Sequence, residues 1–506
     1  MGIPSYFRFL CQKNKSIIQP NYSINGKTIL CLDFNCIVYY CLSKVGEYID
    51  DESYEAKLIK EVCLYVEYIY KSANKPNSVF IAVDGVVPMA KMKQQRMRRF
   101  KTSFMTPYEI ENNVRTVDQK SWDKNSITPG THFMKKLHSA LQELCAKHSN
   151  WYVSGYDQFG EGEHKIMKMI RSYDTNDNTF VVYGLDADLI LLSMLQTSQN
   201  IYLMREEMEF NSVVKDIYEK EQFLYLNINS LKSTLFSNPT EQYLQDYIMM
   251  MSFLGNDFLP HSLSLTIKDN GYNILFNTLK QFHSKGKFLT ENKTIRWDIV
   301  KEFIGSFMNQ ETMLIEQNFK KKKMCFNYKA HNEYEEKMAS VYTLPAKWFV
   351  ESELYDGVLK ESWQDIYYNK YLNNNMELAI EQYLKGLQWI LDYYNGNTIE
   401  YDWYFPYMYT PLWVDIYNFL NKYDMKHSRF VYDISEPITP EQQLTLVLPP
   451  QSFHLIPNLK YRNFMNMYPQ FYPKKFSVHS LGKKWIYECE SNIPLLSTKF
   501  IRKILV

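Results

Sequence analysis

The sequence predicts an α/β protein: a mixed, largely parallel central sheet with flanking helices, followed by a helical connector and an aromatic-rich C-terminal region packed on the sheet domain. Two observations carry this expectation. Through the N-terminal half, short apolar runs alternate with segments of helical periodicity, the pattern of strands joined by crossover helices. Three of those runs end in acids: KTILCLDFN at Asp33, NSVFIAVDG at Asp84, and NTFVVYGLDADL at Asp186 and Asp188. In open parallel sheets ligands gather at the carboxyl ends of strands, so three strands are expected to deliver carboxylates to one edge.

The elements follow in order. SITPGTHFMKKLHSALQELCAKH reads as a Pro/Gly-punctuated entry to an amphipathic helix, and FGEGEHKIMKMIRSY as a tight turn opening into another. Glu161 and Glu163 lie in that glycine-flanked entry, where a helix N-terminus adds positive potential. EQYLQDYIMMMSFLGNDFLP reads as a buried helix ending at Gly255, with Asp257 just beyond and its methionines as core filler. These segments make residues 1–265 the expected core domain. Residues 266–348 turn Lys-, Glu- and Asn-rich with helical periodicity, a connector whose Lys320–Lys323 run is read as a solvated helix face. Residues 349–506 are unusually aromatic, as in GLQWILDYYNG and YDWYFPYMYTPLW, and show no internal repeat.

Bulk properties exclude several classes. The 506 residues carry 57 basic and 56 acidic side chains, a net charge of +1, so any nucleic-acid binding must rest on local patches. No run of about 18 apolar residues occurs, and MGIPSYFRFL lacks the basic and apolar regions of a signal peptide; no membrane association is expected. The 8 cysteines include no C-x-x-C pair, which points to reduced thiols in an intracellular compartment.

The chemistry is carried by the acids Asp33, Asp84, Glu161, Glu163, Asp186, Asp188 and Asp257. So many carboxylates share a cleft only if their charge is neutralised, and divalent metal does this economically. Two such ions can activate water and stabilise an in-line phosphoryl displacement, which makes a nuclease the leading reading. Immediately after Asp84, DGVVPMAKMKQQRMRRFK sets Lys91, Gln95, Arg98 and Arg99 on one helix face, with Lys93, Arg96 and Lys101 adding charge. A cationic, amide-bearing face beside an acidic strand end suits a phosphate. His132, His164 and His261 are read as structural.

MGIPSYFRFL, LDFN, DGVVPMAKMKQQRMRRF, ITPGTHFM, GEGEHKIM, YGLDADLILL, LMREE and GNDFLPH, in this order, resemble the XRN family of 5′→3′ exoribonucleases. The resemblance continues through WQDIYYNKY, YLKGLQWILDYYNG, WYFPYMYTPLWVDI and LVLPP, nearly the whole chain. It implies a PIN/5′-nuclease-like core in which all seven acids hold two Mg²⁺ ions, with Mn²⁺ able to substitute, and a 5′-monophosphate pocket of Lys91, Gln95, Arg98 and Arg99. It also implies that the terminal base stacks between Trp389 and the residue at Tyr39, where the family has His. Cys36, Met89, Lys93 and Phe159 depart from the usual Gly, Arg, Asn and Pro without touching an inferred ligand.

The expectation is therefore a processive exoribonuclease on 5′-monophosphorylated single-stranded RNA, releasing nucleoside 5′-monophosphates. In this reading residues 349–506 wall the cleft, and the protein is a cytoplasmic monomer of mRNA decay that a decapping enzyme supplies. The end of the chain soon after the aromatic region, with a composition of AT-rich codons, suggests a compact, viral or minimal version without the family's C-terminal extensions. A flap-cleaving DNA nuclease and a catalytically silent RNA-binding scaffold are the alternatives.

Overall fold

A computed structural model describes residues 6–111, 121–173, 177–184, 186–196, 199–206, 223–325, 336, 350–423, 425–426 and 428–505. Seven strands form the central sheet: β1 (Ile18–Gln19), β2 (Lys27–Asp33), β3 (Ser78–Ala82), β4 (Trp151–Ser154), β5 (Asn178–Tyr183), β6 (Asn200–Glu206) and β7 (Phe223–Asn227). Their order is β1-β7-β6-β5-β2-β3-β4. From β6 through β5, β2 and β3 to β4 every pairing is parallel; β7 and β1 add antiparallel edges. The expected mixed, largely parallel sheet is what forms.

β2 shows why its sequence is a near-continuous apolar run. Ile29 and Cys31 enter one core with Phe180 and Val182 of β5, while Leu30 and Leu32 enter another with Val181 and Tyr183. A central strand covered by helices on both faces buries both side-chain sets, so it loses the polar alternation of a half-exposed strand. The helices Asp51–Ser72 and His132–Ala146 cover one face, with Asp50 and Thr131 accepting from backbone amides at their starts. The helices Gly162–Arg171 and Ala187–Met194 cover the other.

The core that holds Ile29 and Cys31 runs without a break into the C-terminal half, where Tyr247, Trp389, Tyr394, Trp403 and Trp413 are all buried. A third core joins Met89, Met92, Met97 and Phe100 of the helix Met89–Glu111 to Leu444, Phe453, Tyr472 and Ile501. The aromatic region thus packs against the sheet domain, as its lack of repeats suggested.

The connector corrects one expectation. Lys322 of the Lys320–Lys323 run is not solvated: its side chain is 1% exposed, and its Nζ lies 2.6 Å from Glu351 Oε1 and donates to Ser480 O at 2.7 Å. The buried pair offsets the desolvation that an isolated ammonium could not bear. Seven cysteines, Cys11, Cys31, Cys36, Cys41, Cys63, Cys145 and Cys489, are free thiols. Among the described residues no helix is long and apolar enough to cross a membrane.

Candidate active site

Strand register brings the acids together. Asp33 at the end of β2 pairs with Ala82 at the end of β3, and Leu32 pairs with Tyr183 at the end of β5. Asp84 lies two residues past β3; Asp186 is the N-cap of the helix Ala187–Met194 and Asp188 stands in its first turn. Glu161 and Glu163 occupy the same two positions on Gly162–Arg171. Gly162 lets this helix start against the strand ends: a Cβ there would lie 2.7 Å from Ala82 O and 2.8 Å from Asp33 Oδ1. Its amide donates to Asp84 Oδ1 at 2.7 Å, and Asn35 Nδ2 donates to Asp84 Oδ2 at 2.9 Å. Lys165, one turn on, ties the helix to β3 by donating to Val83 O and Gly155 O at 2.7 and 2.8 Å.

All seven carboxylates are electrostatically linked. Burial, then Asp84 and Asp186, pushes the Asp33 carboxyl well above its ordinary range. Glu163 is raised in the same way by burial, Glu161 and Asp188. Asp188 is pushed up to about 7 by burial and Asp257. Against the upward push of burial, Lys91 holds Asp257 below its ordinary value. Lys91 Nζ sits 2.6 Å from Glu161 Oε2 and 2.8 Å from Asp257 Oδ2, and these acids keep it protonated despite its own burial. Seven carboxylates around Lys91 make a pocket of hard oxygen donors whose burial and mutual repulsion oppose full ionisation.

That donor set fits Mg²⁺ or Mn²⁺, which prefer carboxylate oxygen, rather than a thiolate-seeking metal. Glu161, Glu163 and His164 offer ligand atoms all within 4.8 Å of one another. The His164 ring stacks on Tyr393 at 3.7 Å and burial keeps it neutral, while its Nε2 has no hydrogen-bond partner among the described residues. It is therefore at the site's edge rather than fully satisfied elsewhere. His261 is satisfied, its ring nitrogens contacting Ser262 O at 2.8 Å and Lys483 Nζ at 2.5 Å; His132 is exposed at a helix start.

The basic helix splits into two sets. Lys93, Arg96 and Lys101 are structural: Lys93 Nζ donates to Phe405 O and Tyr407 O at 2.7 and 3.0 Å, and Lys101 Nζ to Tyr487 O and Cys489 O at 3.0 and 2.9 Å. Arg96, fully buried, donates to Leu446 O at 2.7 Å and to Phe471 O, with its guanidinium over the Phe100 and Tyr472 rings. Lys91, Gln95 and Arg99 are different. Lys91 belongs to the acid cluster, while Gln95 Oε1 and Arg99 Nη1 are buried with no hydrogen-bond partner among the described residues. Arg98, partly exposed, adjoins Arg99. Burial lowers the Arg99 guanidinium to about 10, with Tyr39 opposing the shift.

The two expected stacking residues part company. Tyr39 is 43% exposed. Trp389 is 0% exposed, donates from Nε1 to Glu400 O at 2.9 Å, and packs on Phe258, Tyr393 and Trp403 with centroids 5.0, 4.9 and 5.3 Å away. In this conformation it offers no face to a base. Its indole N–H found a buried acceptor and its ring a buried aromatic nest, so the residue was drawn into the core.

Residues outside the expected set complete the site. Tyr393 donates to Glu161 Oε1 at 2.8 Å and Tyr394 to Asp188 Oδ1 at 2.5 Å. Arg205 opposes the upward push on the Asp33 carboxyl, with its Nε 2.9 Å from Glu206 Oε2 and its guanidinium over the Tyr183 ring. Glu206 also accepts from the hydroxyls of Tyr65 and Tyr183. The available signals were Asn35 two residues after Asp33, the paired tyrosines one turn after Trp389, and the charge pair in LMREE.

Residues 1–207 match the family model described as the XRN 5′-3′ exonuclease N-terminus, and residues 238–362 and 354–503 match that of the Xrn1 helical domain. The chain is 26% identical to 5′-3′ exoribonuclease 1 of Homo sapiens, covering 99% of this chain and 34% of that protein. Against 5′-3′ exoribonuclease 1 of Saccharomyces cerevisiae the identity is again 26%, covering 99% of this chain and 42% of that protein. It thus spans between a third and a half of the length of these curated relatives. Among solved structures, the catalytic core of Rad2 in complex with DNA substrate aligns with a TM-score of 0.35 at 10% identity, covering 83% of this chain and 94% of that one. With matched regions running through both halves, the chain belongs to the XRN 5′-3′ exonuclease family.

Proposed function

We propose that the protein is a processive 5′→3′ exoribonuclease that removes nucleoside 5′-monophosphates from single-stranded RNA bearing a 5′ monophosphate. The observation that carries this reading is the junction at Lys91. From that residue one helix face leads in one direction into the seven carboxylates, of which Glu161, Glu163 and Asp188 are buried, and in the other to Gln95 Oε1 and Arg99 Nη1, which have no partner among the described residues. A cutting centre and a phosphate-sized pocket set one or two helical turns apart measure each cut from a bound chain end.

Each group has a part. Arg98, Arg99 and Gln95 would hold the terminal phosphate, with the planar guanidinium giving bidentate contacts. A cap or triphosphate is excluded because a pocket built for one small anion leaves bulkier ends clashing. Tyr39, exposed and electrostatically linked to Arg99, is the stacking platform for the terminal base, and such stacking is sequence-tolerant. Asp33, Asp84, Glu161, Glu163, Asp186, Asp188 and Asp257 would hold two Mg²⁺ ions, which Mn²⁺ could replace. When bound, these ions supply charge neutralisation at the scissile phosphate and a more acidic water. Asn35 and the Gly162 amide fix Asp84, and Arg205 opposes the negative charge at Asp33. In this reading the enzyme acts as a monomer in cytoplasmic RNA turnover, downstream of a decapping step.

The test uses matched RNAs with 5′ monophosphate, triphosphate or cap, beside single-stranded DNA, with Mg²⁺ or EDTA. Rapid loss of the monophosphate RNA alone is expected. Equal degradation of all RNA ends overturns the pocket, activity in EDTA overturns the metal site, and a preference for DNA overturns the substrate class.

A further inference from the structure

We infer that Tyr393 and Tyr394 are positioning residues, which lock Glu161 and Asp188 in the orientation that metal requires and thereby make the cutting centre dependent on the C-terminal half of the chain. The inference rests on the metal reading above and deepens it. Both tyrosines end the helix Met376–Asn395 and are buried, at 7% and 1% exposure. The Tyr393 hydroxyl reaches Glu161 Oε1 at 2.8 Å while Lys91 holds Oε2 at 2.6 Å, so that carboxylate cannot rotate. The Tyr394 hydroxyl reaches Asp188 Oδ1 at 2.5 Å.

The helix end that carries the pair is itself anchored. Asp392, buried beside them, accepts from Arg429 Nη2 and from the Tyr432 hydroxyl. The side chains of Asn395 and Gln245 exchange hydrogen bonds at 2.7 and 2.9 Å, and Arg171 Nη2 caps Tyr394 O at 2.8 Å. Trp389, one turn earlier, packs on the Tyr393 ring at 4.9 Å, and His164 stacks on that ring at 3.7 Å. Two phenols held this firmly do what carboxylates and carbonyls do behind metal-binding histidines: they fix the ligand's rotamer, so that no ordering cost falls on ion binding. A carboxylate freed of its donor would turn toward Lys91 instead.

The same helix provides an internal control. Tyr383 is fully buried and its hydroxyl has no hydrogen-bond partner among the described residues, so Tyr383→Phe removes a hydroxyl without breaking a hydrogen bond seen there. Full-length Tyr393→Phe, Tyr394→Phe, the double variant and Tyr383→Phe would be titrated with Mn²⁺ by calorimetry without RNA. The Mg²⁺ dependence of RNA degradation and thermal melts would follow. Each Tyr→Phe change at 393 or 394 is expected to weaken Mn²⁺ binding about 10-fold. The half-saturating Mg²⁺ should rise in parallel while KM for monophosphorylated RNA holds, and Tyr383→Phe should match wild type. Wild-type Mn²⁺ affinity in folded Tyr393→Phe and Tyr394→Phe overturns the inference, as does an equal loss in Tyr383→Phe. Wild-type protein that binds no Mn²⁺ takes down the metal reading and this inference together. Should the double variant fail to fold, the single variants, each losing one oxygen atom, carry the test.

Discussion

Replacing Lys91 with Met asks how the acid cluster survives without metal. Lys91 Nζ lies 2.6 Å from Glu161 and 2.8 Å from Asp257, with all three side chains at most 14% exposed. At an effective dielectric of about 20, two such contacts are each worth roughly 6 kcal/mol of Coulomb attraction before desolvation is subtracted. Removing one partner of a buried pair leaves the other charge uncompensated, at a net cost of about 3–5 kcal/mol. Here two carboxylates are abandoned at once, among five others. In EDTA, Lys91→Met should therefore lose about 3–5 kcal/mol. In a thermal melt that is a fall of several degrees, with the shift per kcal/mol smaller in a large protein. Saturating Mg²⁺ supplies the missing positive charge, so the gap between variant and wild type should shrink by more than half. The assay is a thermal melt of both proteins in EDTA and in Mg²⁺. Identical melting in EDTA would show that Lys91 does not neutralise the cluster. A deficit that Mg²⁺ leaves unchanged would show that the cation does not enter among these acids.

Three further outcomes follow from the geometry. Gly162→Ala inserts a methyl 2.7 Å from Ala82 O and 2.8 Å from Asp33 Oδ1, so the helix start must retreat; kcat should fall on the order of 100-fold. Overpacking should cost only about 1–3 kcal/mol, and the two effects are separated by kinetics and urea melts. Arg96→Ala strips the buried Leu446 carbonyl and the half-buried Phe471 carbonyl of a donor and opens a cavity between Phe100 and Tyr472; a loss of about 3–5 kcal/mol in urea melts is expected. Burial, with Lys483 second, lowers His261 to about 4, and burial, with Lys93 second, lowers His479 to about 4. The unfolded chain then takes up these protons first as pH falls, so their stability contribution is present above about pH 6.5 and is lost toward pH 4. A His261→Gln, His479→Gln double variant should show a shallower stability slope across that window in urea melts.

The sequence by itself determined whatever depends on local periodicity. The apolar runs ending at Asp33, Asp84 and Asp186 became adjacent parallel strands, and the GEGEH turn put Glu161 and Glu163 at a helix start. The helix face from Lys91 to Arg99 was legible because residues three and four apart share a side whatever the rest of the chain does. Tertiary structure decided how those faces were used. It drew Lys91 into the acids, left Gln95 and Arg99 with unpaired atoms, and sent Arg96 to carbonyls in the C-terminal half. Trp389 and Lys322 are buried against expectation because aromatic and basic character predicts exposure only until a buried acceptor or carboxylate is supplied from elsewhere. Tyr393 and Tyr394 meet Glu161 and Asp188 across separations of 232 and 206 residues. No local pattern encodes such a contact, because it exists only after two halves with complementary buried surfaces have packed together.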